Sequence, residues 1–229
     1  IVGGSGYIGS HFRLIINNYE CYYTSRTNNN QAIVLDFSKK ETYTNILIGQ
    51  KFDLVLILAS TLRGLGTTEL KEELINIDTI AFSQFLQFMA DAKFCKKIIY
   101  VSSMTVYGIK NNIPVDENAE LSPLSTYGLS KHLAENIFSF FCKSNMISGV
   151  ILRIPGVYGG NRKSGFIYNT ALKCINNETI NINTIGLGYW ETIHINDLCL
   201  WINEFLTNYN WECSIDIFNL SYGTKTDII

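Results

Sequence analysis

The segment IVGGSGYIGSH at residues 1–11 constrains the fold of this chain more than any other. A short apolar stub precedes three glycines spaced by two residues, Gly3, Gly6 and Gly9, and a helix-compatible run follows them. Gly3 permits a tight turn, Gly6 lets the backbone approach a pyrophosphate, and Gly9 lets the helix pack closely on the strand. Because a diphosphate is stabilised at the positive end of a helix, the sequence predicts a dinucleotide site at this first strand–helix junction.

Apolar strand-like runs alternate with longer helical stretches along the rest of the chain. After the initial stub, strands are predicted at 21–25, 32–36, 54–59, 97–103 and 149–154, and helices near 7–18, 38–48, 68–92, 126–146 and 164–177. The strands are continuously apolar, which is typical of a parallel sheet covered on both faces. The alternation predicts an α/β fold: a doubly wound parallel sheet (Rossmann fold) with a small, incomplete C-terminal substrate lobe.

The alternation of predicted strands and helices becomes less regular from about residue 155. We therefore expect an NAD(P)-binding Rossmann domain over 1–154. Over 155–229 we expect mainly a substrate lobe, with some elements that return to the Rossmann sheet. The chain begins without Met and ends in the helix-like TKTDII, so we expect a fragment whose C-terminal part is truncated.

The composition argues against several other classes of protein. A net charge of −2, with 47% hydrophobic and 17% charged residues, indicates a globular chain without bulk attraction to nucleic acid or anionic membranes. No apolar run reaches the roughly 20 residues of a membrane span. The six cysteines form no C-x-x-C pair and the three histidines are scattered, so we expect no metal site and no disulfide framework. Free thiols suit a reducing compartment, and we expect a cytoplasmic protein.

The end of the second predicted strand bears on the identity of the dinucleotide. An NAD site usually has an acidic residue there, hydrogen-bonded to the ribose 2′-hydroxyl. This strand ends instead in Ser25 and Arg26. An arginine would bind a 2′-phosphate through charge-assisted hydrogen bonds, whereas a solvated loop arginine is the alternative. The sequence therefore slightly favours NADP over NAD.

The ends of other strands complete the predicted cofactor site. Asp36 and Phe37 are candidates for the adenine edge and face, and Ala59 and Ser60 end the strand along which the cofactor should pass. The full set of predicted cofactor-binding residues is Gly3, Gly6, Tyr7, Ile8, Gly9, Ser25, Arg26, Asp36, Phe37, Ala59, Ser60, Lys131 and Pro155.

Two segments carry groups suited to proton transfer. VSSMTVYG at 101–108 should place Ser103 at the carboxyl edge of the sheet, and STYGLSK at 125–131 puts Tyr127 and Lys131 on one helix face. Taken alone, each segment also has a purely structural explanation: the first as hydroxyls that cap a strand end, and the second as the first turn of a surface helix. A free tyrosine has a pKa of about 10, so a base at neutral pH needs a nearby positive charge to favour the phenolate.

In order, GGSGYIG, SSMTVYG and STYGLSK resemble the extended short-chain dehydrogenase/reductase superfamily, and more narrowly the NAD-dependent epimerase/dehydratase family that acts on nucleotide-linked sugars. The resemblance covers nearly the whole chain and includes LRIPGVYGG at 152–160 and IHINDL at 193–198. It implies that Ser103 is the catalytic serine, that Tyr127 is the acid–base group, and that Lys131 is its partner and binds the nicotinamide ribose. It also implies hydride transfer at the sugar C4.

The chain departs from the family pattern at three motifs. Met104 and Thr105 replace the Asp-Glu pair of sugar-nucleotide dehydratases, so dehydration is not expected. Gly156 replaces an asparagine near the substrate diphosphate, and the arginine that often precedes the IHxxD segment is missing, which weakens the nucleotide-sugar assignment. Three functions stay open: a 4-epimerase or 4-ketoreductase of a nucleotide-linked sugar, a reductase of a small non-nucleotide carbonyl compound, and a non-catalytic NADP-sensing binding protein.

Two further features have structural interpretations. Asp197 is predicted to cap a helix rather than to form a catalytic pair with His194. The run IFSFF at 137–141 fits a homodimer paired through the helices at 68–92 and 126–146, although core packing explains it equally.

Overall fold

The computed structural model describes residues 1–27, 32–47, 49–60, 69, 72–109, 114–180, 191–212 and 215–223. Its helices are α1 (Tyr7–Ile15), α2 (Glu41–Leu47), α3 (Glu72–Ile75), α4 (Phe82–Asp91), α5 (Thr126–Asn145), α6 (Phe166–Ile175) and α7 (Ile195–Asn208). Its strands are β1 (Thr24–Ser25), β2 (Ile33–Val34), β3 (Val55–Ile57), β4 (Lys97–Ser103), β5 (Ser148–Ile154), β6 (Gly156–Tyr158), β7 (Thr192–His194) and β8 (Ile215–Asn219). A π-helical segment, Asn76–Ala81, joins α3 to α4, and a 3₁₀ turn, Met104–Tyr107, follows β4.

The N-terminal stub joins two parallel sheets into one. Strands β3, β4, β5 and β8 pair in that order, and β1 pairs with β2. Val2 pairs with Ile57 of β3, and the Thr24 N–H of β1 donates to the Ile1 carbonyl at 2.9 Å. The resulting order, with all neighbours parallel, confirms the predicted doubly wound fold.

Apolar layers cover both faces of this sheet. Successive residues of β4 point to opposite faces, so Ile98 packs in the cluster with α4 and α5, while Ile99 packs in the cluster with α1 and α7. The two positions are both fully buried. Burial on both faces explains why the strands read as continuous apolar runs rather than alternating ones.

The helix predicted over 68–92 is interrupted by the π-helical segment. A π turn holds more residues than an α turn, so it changes which side chains of this stretch face the core. Asp78 is buried here together with the apolar Ala81, Phe82 and Phe85. A carboxylate is thereby turned towards the sheet.

The C-terminal part of the described chain returns to the sheet. Strand β8 pairs with β5, and α7 packs against α1. The prediction that Asp197 caps a helix is wrong, because α7 begins two residues earlier and His194 is its N-cap, accepting from the Asn196 N–H at 3.3 Å. Asp197 lies in the first turn, where its charge suits the positive end of the helix, and it accepts a hydrogen bond from Tyr222.

A buried ion pair fixes α5 to the sheet. Arg153 of β5 binds Glu135 of α5 through two nitrogens, with Nη2 at 2.8 Å from Oε2 and Nε at 3.1 Å from Oε1. The Ser102 hydroxyl donates to the same carboxylate at 2.5 Å. Arg153 Nη1 also donates to the Tyr107 hydroxyl at 2.7 Å, and that hydroxyl donates to Asn219 of β8 at 2.8 Å. Breaking such a pair would leave an uncompensated buried charge.

Within the described ranges, no helix combines the length and apolarity needed to cross a membrane. The same residues contain no group of three His, Cys, Asp or Glu side chains placed to bind a metal ion. The five described cysteines are free thiols, and Cys213 lies outside the described residues.

Candidate active site

A cavity of about 2100 Å³ opens at the carboxyl edge of the sheet. This is the edge where doubly wound folds bind their ligands. The cavity lining includes all three predicted catalytic residues and every predicted cofactor residue except Ser25, namely Gly3, Gly6, Tyr7, Ile8, Gly9, Arg26, Asp36, Phe37, Ala59, Ser60, Ser103, Tyr127, Lys131 and Pro155. The predicted residues thus share one cavity, whereas most of its lining comes from residues that the sequence analysis does not single out.

The glycine turn has the geometry that its spacing predicts. Gly3 has φ +85°, and a Cβ there would lie 2.8 Å from the Ala59 nitrogen. A Cβ on Gly9 would lie 2.6 Å from the Gly4 Cα, so only glycine allows the helix to approach the turn. Gly6 precedes α1, and no side chain caps that helix end. The cradle and the uncapped helix end fit the diphosphate of a dinucleotide.

The end of β1 presents a different hydroxyl from the one that we predicted. Thr24 lines the cavity, and its Oγ1 accepts from the Gly3 N–H at 3.1 Å. Ser25 is buried, is absent from the lining, and accepts from the Thr27 N–H at 3.4 Å. Neighbouring strand residues face opposite ways, which accounts for the difference. Arg26 is exposed and lines the cavity.

The segment after β2 forms one wall of the cavity. Asp36 Oδ1 accepts from the Ser38 N–H at 3.0 Å and from the Ser38 hydroxyl at 2.7 Å, which fixes the turn. Phe37 is anchored by ring contacts with Phe82 and Phe85 of α4, at centroid distances of 5.7 and 4.9 Å.

Tyr127 lies buried in the first turn of α5. Ser125 caps this helix by accepting from the Gly128 N–H at 3.1 Å. Burial and, after it, the Asp78 carboxylate raise the pKa of Tyr127, which lies at about 12. The neighbouring hydroxyls of Ser60 and Ser103 and the positive charge of Arg162 act in the opposite direction and lower this pKa.

Ser103 ends β4 with its hydroxyl hydrogen available. Its Oγ accepts from the Thr105 N–H at 3.3 Å and from the Thr105 hydroxyl at 3.0 Å. A serine oxygen has two acceptor sites and one O–H, so these two contacts leave the O–H to donate. The donor can therefore act on Tyr127 or on a ligand oxygen beside it.

Lys131 is buried one helical turn after Tyr127. Its ammonium donates to the Tyr100 hydroxyl and to the Val101 carbonyl, both at 3.1 Å. These contacts leave one of its three N–H groups for a ligand in the cavity. Burial lowers the pKa of Lys131 to about 8, while the carboxylates of Asp78 and Glu135 raise it.

Two charged residues of the site were not singled out from the sequence. Asp78 accepts from the Ser130 hydroxyl at 3.0 Å and reaches the cavity through the π-helical segment, for which the apolar periodicity gives no signal. Arg162 lies after β6, donates to the Val157 carbonyl at 2.7 Å, and stacks 5.2 Å from the Tyr7 ring centroid. The glycine-rich stretch that flanks Arg162 was the available sequence signal.

The fold and the site define an enzyme that uses a nicotinamide dinucleotide. The chain matches the model of the NAD dependent epimerase/dehydratase family over residues 1–221. It therefore belongs to that family, and it is an NAD-dependent enzyme of the epimerase/oxidoreductase class.

Individual relatives agree with this membership. The chain is 27% identical over 272 residues to a UDP-glucose 4-epimerase of Cyamopsis tetragonoloba, covering 100% of this chain and 77% of the relative. It is 36% identical over 134 residues to the dTDP-4-dehydro-6-deoxyglucose reductase of Escherichia coli, covering 56% of this chain and 41% of the relative. A solved structure of a UDP-glucuronic acid 4-epimerase variant from Bacillus cereus, in complex with UDP-4-deoxy-4-fluoro-glucuronic acid and NAD, has a TM-score of 0.82. The match has 22% identity and covers 96% of this chain and 76% of that one.

The buried Lys131 should make the stability of the fold depend on pH between 8 and 10.5. Its folded-state pKa of about 8 lies below the ordinary value of 10.5, so the unfolded chain binds the proton more tightly in this window. The free energy of unfolding therefore rises with pH there. Relative to Lys131→Met, we expect the unaltered protein to gain up to about 3 kcal/mol across the window in urea unfolding.

Lys143→Met, which removes an exposed lysine from the same helix, controls for the loss of one charge. Equal pH dependence of the unaltered protein and Lys131→Met would contradict the assigned shift.

Proposed function

We propose that this protein is a 4-epimerase of a nucleotide-linked sugar. The observation that carries the proposal is the placement of Tyr127 beside Ser103 in the cavity that also holds the glycine turn. A proton-transfer group, a hydroxyl donor and a cradle for a diphosphate thus share one cavity. The UDP-glucose 4-epimerase and the solved UDP-glucuronic acid 4-epimerase described above support the same reaction.

Tyr127 is assigned the transfer of a proton to and from the C4 oxygen of the sugar. The nicotinamide dinucleotide, when bound, supplies hydride transfer at C4. Tyr127 takes the C4 hydroxyl proton during oxidation and returns it during reduction. Its resting pKa of about 12 has to fall for the first of these steps, and the Arg162 charge and the neighbouring hydroxyls act in that direction.

Ser103 and Lys131 are assigned supporting tasks. The free O–H of Ser103 holds the C4 oxygen in reach of Tyr127. The remaining N–H of Lys131 binds a ribose hydroxyl of the cofactor, because its other contacts point into the sheet. We propose that residues 1–154 supply the cofactor site and that residues 155–229 supply mainly the substrate lobe.

The size and chemistry of the cavity support the proposed substrate class. A volume of about 2100 Å³ exceeds the roughly 300–1,000 Å³ of ordinary small-molecule pockets and suits a dinucleotide together with a sugar nucleotide. Met104 and Thr105 line the wall beside Ser103 and offer no acid–base pair, so water elimination is not part of the proposal.

Reduction of a 4-keto sugar is the second candidate. The identity with the bacterial reductase favours it, as does Arg26, an exposed residue of the cavity lining whose charge would suit a 2′-phosphate. A reductase must exchange its spent cofactor in every cycle, whereas an epimerase regenerates it. A reductase of a non-nucleotide carbonyl compound, for which Gly156 is the hint, ranks third.

The oligomeric state and the cellular compartment of the enzyme can also be proposed. Leu133 and Phe140, seven residues apart on one face of α5, are 36% and 74% exposed, which suits pairing with a second copy of the chain. The free thiols of the described cysteines suit the cytoplasm as a reducing compartment.

An absorbance assay separates the epimerase from the reductase. We expect the protein to interconvert two sugar nucleotides with NAD and without net change in the reduced-nicotinamide absorbance. Stoichiometric consumption of NADPH with a 4-keto-sugar nucleotide would favour the reductase. Inactivity in both assays would instead favour a reductase of a small non-nucleotide carbonyl compound.

Tyr127→Phe should abolish turnover while leaving cofactor binding intact. Only the phenolic oxygen is removed, so the cavity keeps its shape and its diphosphate cradle. Turnover and cofactor affinity are measured on the same preparation. Near-normal turnover of the variant would remove Tyr127 from the mechanism.

Arg26→Ala should weaken NADP binding by about tenfold or more and leave NAD binding unchanged. A hydrogen bond to a charged group contributes roughly 1.5–3 kcal/mol, and only NADP has the 2′-phosphate. Titration of both cofactors measures the effect. Arg13→Ala, an equal loss of charge outside the cavity, is the matched control. Equal affinity of the unaltered protein for NAD and NADP would refute a role for Arg26.

A further inference from the structure

Two buried side-chain oxygens have no hydrogen-bond partner in the described structure, Tyr43 Oη and Ser60 Oγ. A buried hydroxyl without a partner loses its hydrogen bonds to water on folding and so destabilises the native state. Tyr43 lies in the apolar core against Phe85 and Phe88, outside the cavity. Ser60 lies in the cavity wall after β3. The unpartnered oxygen of Ser60 is therefore part of the candidate active site.

Ser60 and Ser103 lie at the ends of adjacent strands: Ile57 of β3 pairs with Tyr100 of β4, and each serine follows its paired residue by three positions. Both serines line the cavity together with Tyr127. The Ser60 hydroxyl forms no hydrogen bond in this geometry, although it acts to lower the pKa of the Tyr127 phenol. Ser103 acts on the same phenol from the end of β4. Two adjacent strands thus each bring one hydroxyl to Tyr127.

We propose that the Ser60 hydroxyl is a catalytic group that donates a hydrogen bond to the Tyr127 oxygen when that oxygen is negatively charged. The inference rests on the proposed function, in which Tyr127 loses and regains a proton. A phenolate accepts a hydrogen bond far more strongly than a neutral phenol does. An interaction that strengthens only in the reacting state raises the rate, so an unpartnered hydroxyl in the resting enzyme has a use.

Other polar groups also face Tyr127, and Ser60→Ala leaves them in place. Asp78 of the π-helical segment raises its pKa, and Arg162 after β6 lowers it. Lys131 on α5 is bound to Tyr100 of β4, which stays neutral because burial raises its pKa well above 10. A change in the titration of Tyr127 in this variant therefore reports the loss of one hydroxyl.

The direct test is an NMR titration of the cofactor-bound enzyme labelled with ¹³C at the tyrosine Cζ. The Tyr127 resonance is identified by its absence from Tyr127→Phe. We expect Tyr127 in Ser60→Ala to ionise at higher pH, with about tenfold less phenolate at a given pH below the midpoint. An unchanged midpoint overturns the proposal. The titration needs no sugar substrate, so it separates failure of this inference from failure of the proposed epimerase function.

Stability and turnover supply the second readout. Ser60→Ala should keep or raise the thermal midpoint, because it removes an unpartnered buried hydroxyl, while kcat falls about tenfold and the KM for the sugar nucleotide stays within about twofold. Tyr43→Phe, which removes the other unpartnered hydroxyl, should raise the thermal midpoint and leave kcat unchanged. A loss of thermal stability in Ser60→Ala that accompanies the loss of turnover, or a loss of cofactor affinity alone, would assign Ser60 a structural or binding role instead.

Discussion

The attachment of α5 to the sheet is the constraint on which the site depends. Two buried charged residues, four positions apart on this helix, bind into the central strands: Glu135 to Arg153 of β5, and Lys131 to Tyr100 and the Val101 carbonyl of β4. Tyr127 lies one turn further towards the helix start, so its position follows from these contacts. Because both anchors are buried, α5 cannot shift without leaving a charge unpaired in the core.

Burial raises the pKa of the Tyr127 phenol, and several surrounding residues act to lower it again. Desolvation and the Asp78 carboxylate both raise the pKa of the phenol, which is unfavourable for a base. The opposing positive charge in the structure comes from Arg162, whereas the Lys131 ammonium is directed into the sheet. The hydroxyls of Ser60 and Ser103 also act to lower the pKa of the phenol. Under the proposed function, burial shields the Tyr127 phenol from water, and the two hydroxyls and the Arg162 charge act on it in place of solvent.

Local patterns in the sequence predicted the parts of the site that depend on local geometry. The glycine spacing predicted the positive φ at Gly3 and the close approach at Gly9, and the apolar run at 97–103 matched β4 residue for residue. The parts that depend on packing between distant segments could not be predicted in this way. The π-helical turn that buries Asp78, the arrival of Arg162 from a loop after β6, and the addition of β8 beside β5 are set by tertiary contacts.

Hydride transfer at C4, returned to the same carbon, is the central claim, and isotope retention tests it most directly. A UDP-hexose carrying deuterium at C4 is incubated with the full chain and NAD in ordinary water until epimerisation approaches equilibrium. The account predicts that the product epimer keeps its deuterium at C4, because the cofactor carries that atom and Tyr127 exchanges only the oxygen-bound proton. Replacement of the label by solvent hydrogen would contradict it.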